Sequence, residues 1–446
     1  MERQTFFYYY SKKDETNICL NESTGKITQI TKAEKSQMND KFFEMNKSYE
    51  PNEESLRKYM NDFNRCNDEI LKYTNNRTEY KKWVNDGMAI MSYYKSKSAN
   101  AYKSYNIKDV SVDELILSER CNNGGKSHLD TDSKGEKIIS YGHDFSNCYA
   151  NMLSNFLVSG FLIPMKEGKY KILKLDILKQ NTFKYGYYKA KIETNNKIIK
   201  DLFTFSTDET YTHYSMIELS ILTVHIIKTY KLEIHEIFDK LEIDSTAYVY
   251  DSKDLVECSK LFYKWFKDVN EMKQDLNDNF LVKNLGTKLW GYLTQYNRKF
   301  VSESDIDKYD YGMYHDFTSG RKHDYLCIEI ENPTKDNKLY QLVSVQNPYK
   351  NGGIARIKSF LVSSFRLYMT KMIINNNLEN DVVRLCTDGI VLKKEFDFSK
   401  AGLKYYPIPE NKTTGLIKWM NSNTYFHCCD KCDKQWKYDK KYCHTC

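Results

Sequence analysis

The 446-residue chain has room for two or three structural units and a substantial core. Its 41% apolar and 28% charged residues suit a globular protein, and no apolar run reaches the roughly 18 residues a membrane-spanning helix needs. A net charge of +7 permits a nucleic-acid partner without requiring one, while the polar start Met1-Glu2-Arg3-Gln4 lacks the apolar core of a secretory signal.

Residues 1 to about 110 are rich in Lys, Asn and Glu and carry few clean apolar stripes, with Tyr80 to Tyr94 the best candidate helix. From Lys137 the pattern changes. Ile138, Ile139 and Tyr141 lead into Asp144 as a strand, and Tyr187 to Ile192 reads as another. Helical patterns follow over Tyr214 to Tyr230, Leu255 to Phe266 and Glu271 to Leu293. Residues 300 to 350 mix turns and strands, with Leu326 to Ile330 the clearest strand. Ile354 to Ile374 reads as an amphipathic helix, with Ile357, Phe360, Leu361, Phe365, Met369 and Met372 on its apolar side. Directly after it, Val382 to Leu385 and Ile390 to Leu392 flank Thr387-Asp388-Gly389, the pattern of a tight hairpin with one carboxylate at its tip. Strand, helical block, mixed insert, helix and hairpin make an α+β protein whose site joins carboxylates from distant segments.

Five of the twelve cysteines (Cys428, Cys429, Cys432, Cys443 and Cys446) crowd into the last 19 residues, and the other seven are scattered. That distribution indicates free thiols in a reducing compartment plus one metal cluster. The pairs Cys429-x-x-Cys432 and Cys443-x-x-Cys446, ten residues apart, are spaced as two knuckles that orient four thiolates around one structural Zn²⁺. His427, Cys428 and His444 are spare ligand candidates. Lys431, Lys434, Lys437, Lys440 and Lys441 would make the same module a phosphate-contacting surface.

Three segments together carry a family resemblance. Asp144-Phe145-Ser146-Asn147-Cys148-Tyr149-Ala150 resembles motif A of family B DNA polymerases, an Asp, two variable residues, then Ser-Leu-Tyr-Pro. Asn147, Cys148 and Ala150 depart from it. Lys283 to Gly291 resembles motif B, with Lys283, Trp290 and Gly291 matching while Thr287 and Lys288 depart. Cys386-Thr387-Asp388-Gly389 resembles motif C, Asp-Thr-Asp-Ser, with Cys386 in place of the first Asp. The resemblance spans roughly residues 115 to 425 and is nearest the protein-primed type of small phages, viruses and linear plasmids.

It implies a right-hand polymerase: an antiparallel palm sheet, helical fingers, a reduced thumb and a C-terminal zinc ribbon. The expected boundaries are a poorly defined region over 1–114, palm over 115–205, and fingers over 206–300. An insert with the second palm part takes 301–400, the thumb 401–426 and the ribbon 427–446. Asp144 and Asp388, with the Phe145 carbonyl, would hold two Mg²⁺ ions, which favour carboxylate and phosphate oxygens. Lys283 would neutralise phosphate charge, Tyr149 would lie under the sugar and exclude a 2′-hydroxyl, and Trp290 and Gly291 would face the nascent base pair. Arg120 would contact phosphates or template, and Tyr425 would stand where the family carries the tyrosine of its Lys-x-Tyr contact to DNA, with Lys418 as the substitute for the lysine that Asn423-Thr424-Tyr425 lacks.

The implied partners are template and primer DNA and dNTPs, with a terminal protein or a separate exonuclease subunit as further candidates. The implied location is the cytoplasm or nucleus of a host, at a viral or mobile-element replication site. No Asp-x-Glu exonuclease signature precedes the palm. Singly these residues have blander roles: Asp144 as a helix cap, Lys283 as a solvated lysine, Tyr149 and Trp290 as core aromatics. The alternative function is a weak or inactive polymerase-like accessory protein that binds nucleic acid.

Overall fold

The computed structural model describes the chain apart from residues 1–2, 12–13, 15, 32–33, 36–37, 47, 76, 84, 106, 122–126, 146, 156–160, 173–183, 196–211, 216–238, 331–338, 400–409, 422–423, 429–434 and 437–446. In chain order it forms β1 (Thr5–Ser11), β2 (Thr16–Asn21), β3 (Ile27–Ile30), β4 (Lys41–Glu44), α1 (Glu53–Tyr73), α2 (Asp86–Tyr105) and α3 (Val112–Cys121). Then come β5 (Ser127–Leu129), β6 (Lys137–Asp144), α4 (Cys148–Ser154), β7 (Leu162–Pro164), β8 (Lys169–Ile172), β9 (Gly186–Glu193), β10 (Thr212–Ser215), β11 (Lys240–Val249) and β12 (Leu255–Glu257). These are followed by α5 (Cys258–Asp275), α6 (Phe280–Thr287), α7 (Leu289–Leu293), β13 (Arg298–Ser302), β14 (Tyr311–Gly312), α8 (Tyr314–Thr318), β15 (Tyr325–Ile330) and β16 (Leu339–Ser344). Last are α9 (Ile357–Asn375), β17 (Val382–Cys386), β18 (Gly389–Leu392), β19 (Glu410–Asn421), β20 (Thr424–Cys428) and β21 (Gln435–Trp436).

Two compact units result, residues 1–102 with 262–293, and residues 103–261 with 294–446. In the first, β3-β2-β1-β4 form one sheet. Helix α1 starts where the Asn52 side chain accepts the Ser55 amide at 2.8 Å, and Glu53 and Glu54 favour that end of the helix dipole. Its buried residues Leu56, Tyr59, Phe63, Cys66, Asn67 and Ile70 recur every three or four positions, so one face meets the sheet. Phe63 packs 5.1 Å from Phe7 and 4.6 Å from Phe43, and Tyr59 packs 5.5 Å from Phe280 of α6. Asn279 caps α6 and donates to the Cys66 carbonyl at 2.9 Å, tying α6 to α1. Residues 1–102 therefore fold together with residues 262–293.

The second unit is built on a seven-stranded antiparallel sheet, ordered β21-β20-β19-β6-β18-β17-β5. Val383, Val391, Ile417 and Trp419 pack together on one face with Leu129 and Ile138, and the Trp419 indole donates to Ser140 at 3.2 Å. Residues 410–421, set apart as thumb by the resemblance, lie inside this sheet, where Thr413 to Lys418 pair with β6. Two further four-stranded sheets, β10-β9-β11-β8 and β13-β16-β15-β14, and the β7–β12 pair complete the unit.

Helix α9 departs from the amphipathic expectation, because Ser359, Ser363, Ser364, Arg366 and Thr370 are buried along with its apolar residues. The Tyr187 hydroxyl hydrogen-bonds to the Ser359 hydroxyl at 2.8 Å, and the Phe360 ring stacks on Tyr187 at 4.9 Å, so the helix is covered on its polar side too. The 3₁₀ turn Gly352–Arg356 leads into it. There the Arg356 guanidinium grips both oxygens of buried Glu114 at 2.8 and 2.6 Å and donates to the carbonyls of Lys108 and Asp109. Gly353 sits so close that a Cβ there would overlap the Lys108 carbonyl oxygen.

Tyr214, expected to open a helix, lies in strand β10, whose Thr and Tyr side chains favour strand; residues 216–238 of that segment fall outside the described residues. The expected strand at 187–192 is β9, and the expected helix at 255–266 begins as strand β12 before α5 takes over.

Candidate active site

The central strand β6 delivers Asp144 to its own end, with a paired strand on each side. Asp144 stands opposite Gly389 of β18 and Glu410 of β19 in the register. Strands β17 and β18 close over a two-residue turn, Cys386 pairing with Gly389, so Asp388 rides at the hairpin tip beside Asp144. Beyond the end of β6 the Phe145 amide donates to the Asp388 carbonyl at 2.9 Å, extending the ladder and locking the tip to the strand end. Opposed antiparallel residues have Cα atoms about 4.5–5.5 Å apart, so the two acidic residues issue from adjacent strand ends. Both are half-buried.

The turn is strained. Thr387 has φ +52°, a left-handed conformation that a β-branched residue adopts at a cost of roughly 1–3 kcal/mol. Asn147, at φ 52° and ψ 38°, is the N-cap residue of α4, so Asp144 does not occupy the capping position.

Side chains of α4 and α9 surround the pair. The buried Cys148 thiol donates to Asp388 Oδ2 at 3.7 Å, and burial, followed by the charges of Asp388 and Asp144, pushes that thiol far up. Phe145 is fully buried, edge-on to Phe365 at 5.6 Å and to Tyr368 at 5.8 Å. The Tyr149 ring leans on Phe365 at 5.7 Å. Burial raises the Tyr149 phenol, with Cys148 and Asp388 adding to the rise and the buried Arg366 guanidinium opposing it. Asp144, Cys148, Tyr149, Arg366 and Asp388 thus form one electrostatic neighbourhood. Cys148 and Arg366 were not among the sequence candidates for the site; the available signals were a thiol four residues after Asp144 and a charged residue in an otherwise apolar helix.

Two carboxylates and a backbone carbonyl are hard oxygen donors of the kind Mg²⁺ takes when phosphates and water complete its shell. Among the described residues no group of three or more His, Cys, Asp or Glu gathers as a metal cage.

The remaining candidates are dispersed. Lys283 is exposed on α6, Trp290 is half-buried and Gly291 exposed on α7, all within the first unit. A Cβ at position 291 would meet nothing within 4 Å, so packing within the chain does not require glycine there. Arg120 ends α3 with its guanidinium 3.4 Å from the centre of the Tyr314 ring. Lys418 is half-buried on β19, and Tyr425 pairs with Trp419 through the β20 backbone. Cys429, Cys432, Cys443 and Cys446 lie outside the described residues. No described helix is long and apolar enough to cross a membrane.

No protein-family model matches the sequence, and no curated protein does. The fold is similar to solved structures of phi29 DNA polymerase. Against its complex with primer-template DNA in the post-translocation state, the TM-score is 0.56 at 10% identity, over 96% of this chain and 87% of that one. Against its ternary complex with primer-template DNA and incoming nucleotides, the TM-score is 0.52 at 9% identity, over 86% of this chain and 61% of that one. A third match, to the complex with single-stranded DNA, gives 0.51 at 10% identity over 87% and 61% of the two chains. The chain is thus a mixed α/β protein with a phi29-polymerase-like fold, spanning about three fifths of the ternary-complex chain.

Proposed function

We propose that the chain is a DNA-templated DNA polymerase that adds dNTPs to a primer 3′-hydroxyl by two-metal nucleotidyl transfer. The observation that carries this reading is the convergence of Asp144 and Asp388 at neighbouring strand ends, locked by the Phe145 amide. The fold likeness to phi29 DNA polymerase, solved with primer-template DNA and incoming nucleotides, supports it. On this reading the seven-stranded sheet with α9 is the palm, and α6 and α7 carry the motif of the fingers. The C-terminal cysteines form a Zn²⁺ ribbon, and template, primer and dNTPs are the partners, with a terminal protein or a separate exonuclease subunit as further ones.

Bound Mg²⁺ would supply charge neutralisation and ease loss of the hydroxyl proton. The chain's own contribution begins with Asp144 and Asp388, which with the Phe145 carbonyl would hold the cations. Tyr149, braced by Phe365, floors the sugar position. Lys283, Trp290 and Gly291, in the first unit, keep the phosphate and base-pair roles that the resemblance to motif B implies. In the reaction the primer oxygen bonds to the α-phosphorus, the bond to the pyrophosphate oxygen breaks, and the hydroxyl proton leaves to solvent.

Primer extension by the purified full chain with Mg²⁺ or Mn²⁺ tests this. Asp144→Asn and Asp388→Asn should each lower the rate by on the order of 10²–10³-fold, the scale of a lost transition-state charge contact, with the melting curve retained. A folded wild-type chain that extends no primer yet binds it returns the accessory reading. Metal analysis should find one Zn²⁺ per chain, lost on combining Cys432→Ser with Cys443→Ser.

A further inference from the structure

The second unit contains a cavity of about 410 Å³ between α3, the β8–β11 sheet and α8, and none of the residues assigned to nucleotidyl transfer lines it. That volume is in the range of small-ligand pockets. Six of its fourteen lining residues are aromatic. Tyr170 and Tyr248 stand 5.1 Å apart at 80°, two rings meeting as a corner, and Tyr314 and Phe317 enter from α8. Tyr170 stays 57% exposed, so its ring is reachable from solvent.

The charge of the lining is mixed but leans negative. Asp113 and Asp244 contribute two carboxylates and Lys189 one ammonium. Asp113 lines the cavity with Tyr170 and Tyr314: after burial, its charge helps raise both phenols, although Arg120 opposes the rise at Tyr314. The Tyr314 ring already takes a planar cation, the Arg120 guanidinium at 3.4 Å. Aromatic faces attract cations through the ring quadrupole, and the attraction grows as water is excluded. A phosphate or carboxylate would meet the same rings and two repelling carboxylates.

We infer that this cavity binds an organic cation on an aliphatic stem, a guanidinium or an alkylammonium, with the charge at Asp113 and the tyrosine faces and the stem on Ile116 and Leu117. The chemistry is shared by free polyamines and by the arginine or lysine side chain of another protein. The inference does not depend on the carboxylate pair of the polymerase reading, since neither Asp144 nor Asp388 lines the cavity.

Calorimetric titration of the full chain with agmatine, spermidine and Nα-acetylarginine amide tests it, with inorganic phosphate and 1-pentanol as charge and stem controls. At least one cation should bind saturably, and the controls should not. Tighter binding of agmatine or spermidine identifies a free amine as the ligand; tighter binding of acetylarginine amide identifies a protein side chain. Asp113→Asn and Tyr170→Ala change accessible side chains, so circular dichroism should be unaltered. Each should weaken binding by about 3- to 30-fold, the span of a cation–ring contact at such a site. Absence of saturation by all three cations up to about 10 mM, beyond the weak millimolar range, overturns the inference. So does equal binding of phosphate, or cation affinity unchanged in both variants; weakening in either variant supports it.

Discussion

Arg356→Ala leaves the Glu114 carboxylate, only 1% exposed, sealed in the second unit without its counter-charge. Two hydrogen bonds to that carboxylate, at 2.8 and 2.6 Å, disappear, as do those to the carbonyls of Lys108 at 2.6 Å and Asp109 at 2.7 Å. Breaking a buried ion pair by removing one member costs about 3–5 kcal/mol. The two orphaned carbonyls, each worth about 1 kcal/mol as hydrogen bonds, move the expectation to the upper end, about 5 kcal/mol. That is comparable with the whole stability of a modest domain, roughly 5–15 kcal/mol. Urea unfolding of the full chain measures the loss, with hydrogen exchange in peptides covering 352–375 assigning it to the second unit. Replacing both partners by methionine should recover most of it, because no charge is then buried. The reasoning is refuted by a loss of less than about 1 kcal/mol, the worth of an exposed pair, or by a double variant no more stable than the single one.

Gly353→Ala pushes a Cβ into the Lys108 carbonyl oxygen and toward the Arg356 guanidinium, so the same turn should lose about 2–3 kcal/mol by overpacking, read as a lower urea midpoint. Thr387→Gly removes the left-handed strain at the hairpin tip and should leave stability unchanged or up to about 1 kcal/mol higher; a clear drop in melting temperature contradicts this. The His323 hydrogen bond, at 2.8 Å, holds the Asp310 carboxyl below its ordinary 3.8. A lowered acid pKa stabilises the fold above the unfolded-state value, and that contribution is lost as pH falls through the folded-state value. The stability gap between wild type and Asp310→Asn should therefore be present at neutral pH and vanish on acidification below 3.8. A gap constant down to pH 2 or so contradicts the linkage.

Local signals carried much of the site geometry. The two β-prone runs around Thr387-Asp388-Gly389 marked the hairpin, although its turn is Thr387-Asp388 and Gly389 belongs to β18, and Ile138, Ile139 and Tyr141 marked β6. What local pattern could not supply is partnership. Nothing near Thr413 to Lys418 says that they pair with Gly142 to Lys137, so residues 410–421 read as a separate piece. The helix over 357–375 was visible, but its burial on every side depends on Tyr187, Phe145 and Tyr149 arriving from far upstream. The same holds for the N-terminal region: its aromatic residues look scattered until Phe7, Phe43, Phe63 and Phe280 converge. Cys148 was visible as a departure from motif A, and only the fold brings its thiol against Asp388.

Strand β6 has a consequence for how the chain is made. Its neighbours on both sides, β18 and β19, are encoded some 245 to 280 residues later, as the pairing of Asp144 with Gly389 and of Lys137 with Lys418 shows. At 5–20 residues per second, a ribosome needs on the order of 10–60 s to deliver those partners after β6 has emerged. During that interval a strand bearing Ile138 and Ile139 has both edges open, the condition under which strands pair wrongly. The carboxylate pair therefore comes into being only after residue 389 has been made, and nascent chains stopped before that point should carry Asp144 without Asp388 opposite it and depend on chaperones to stay soluble.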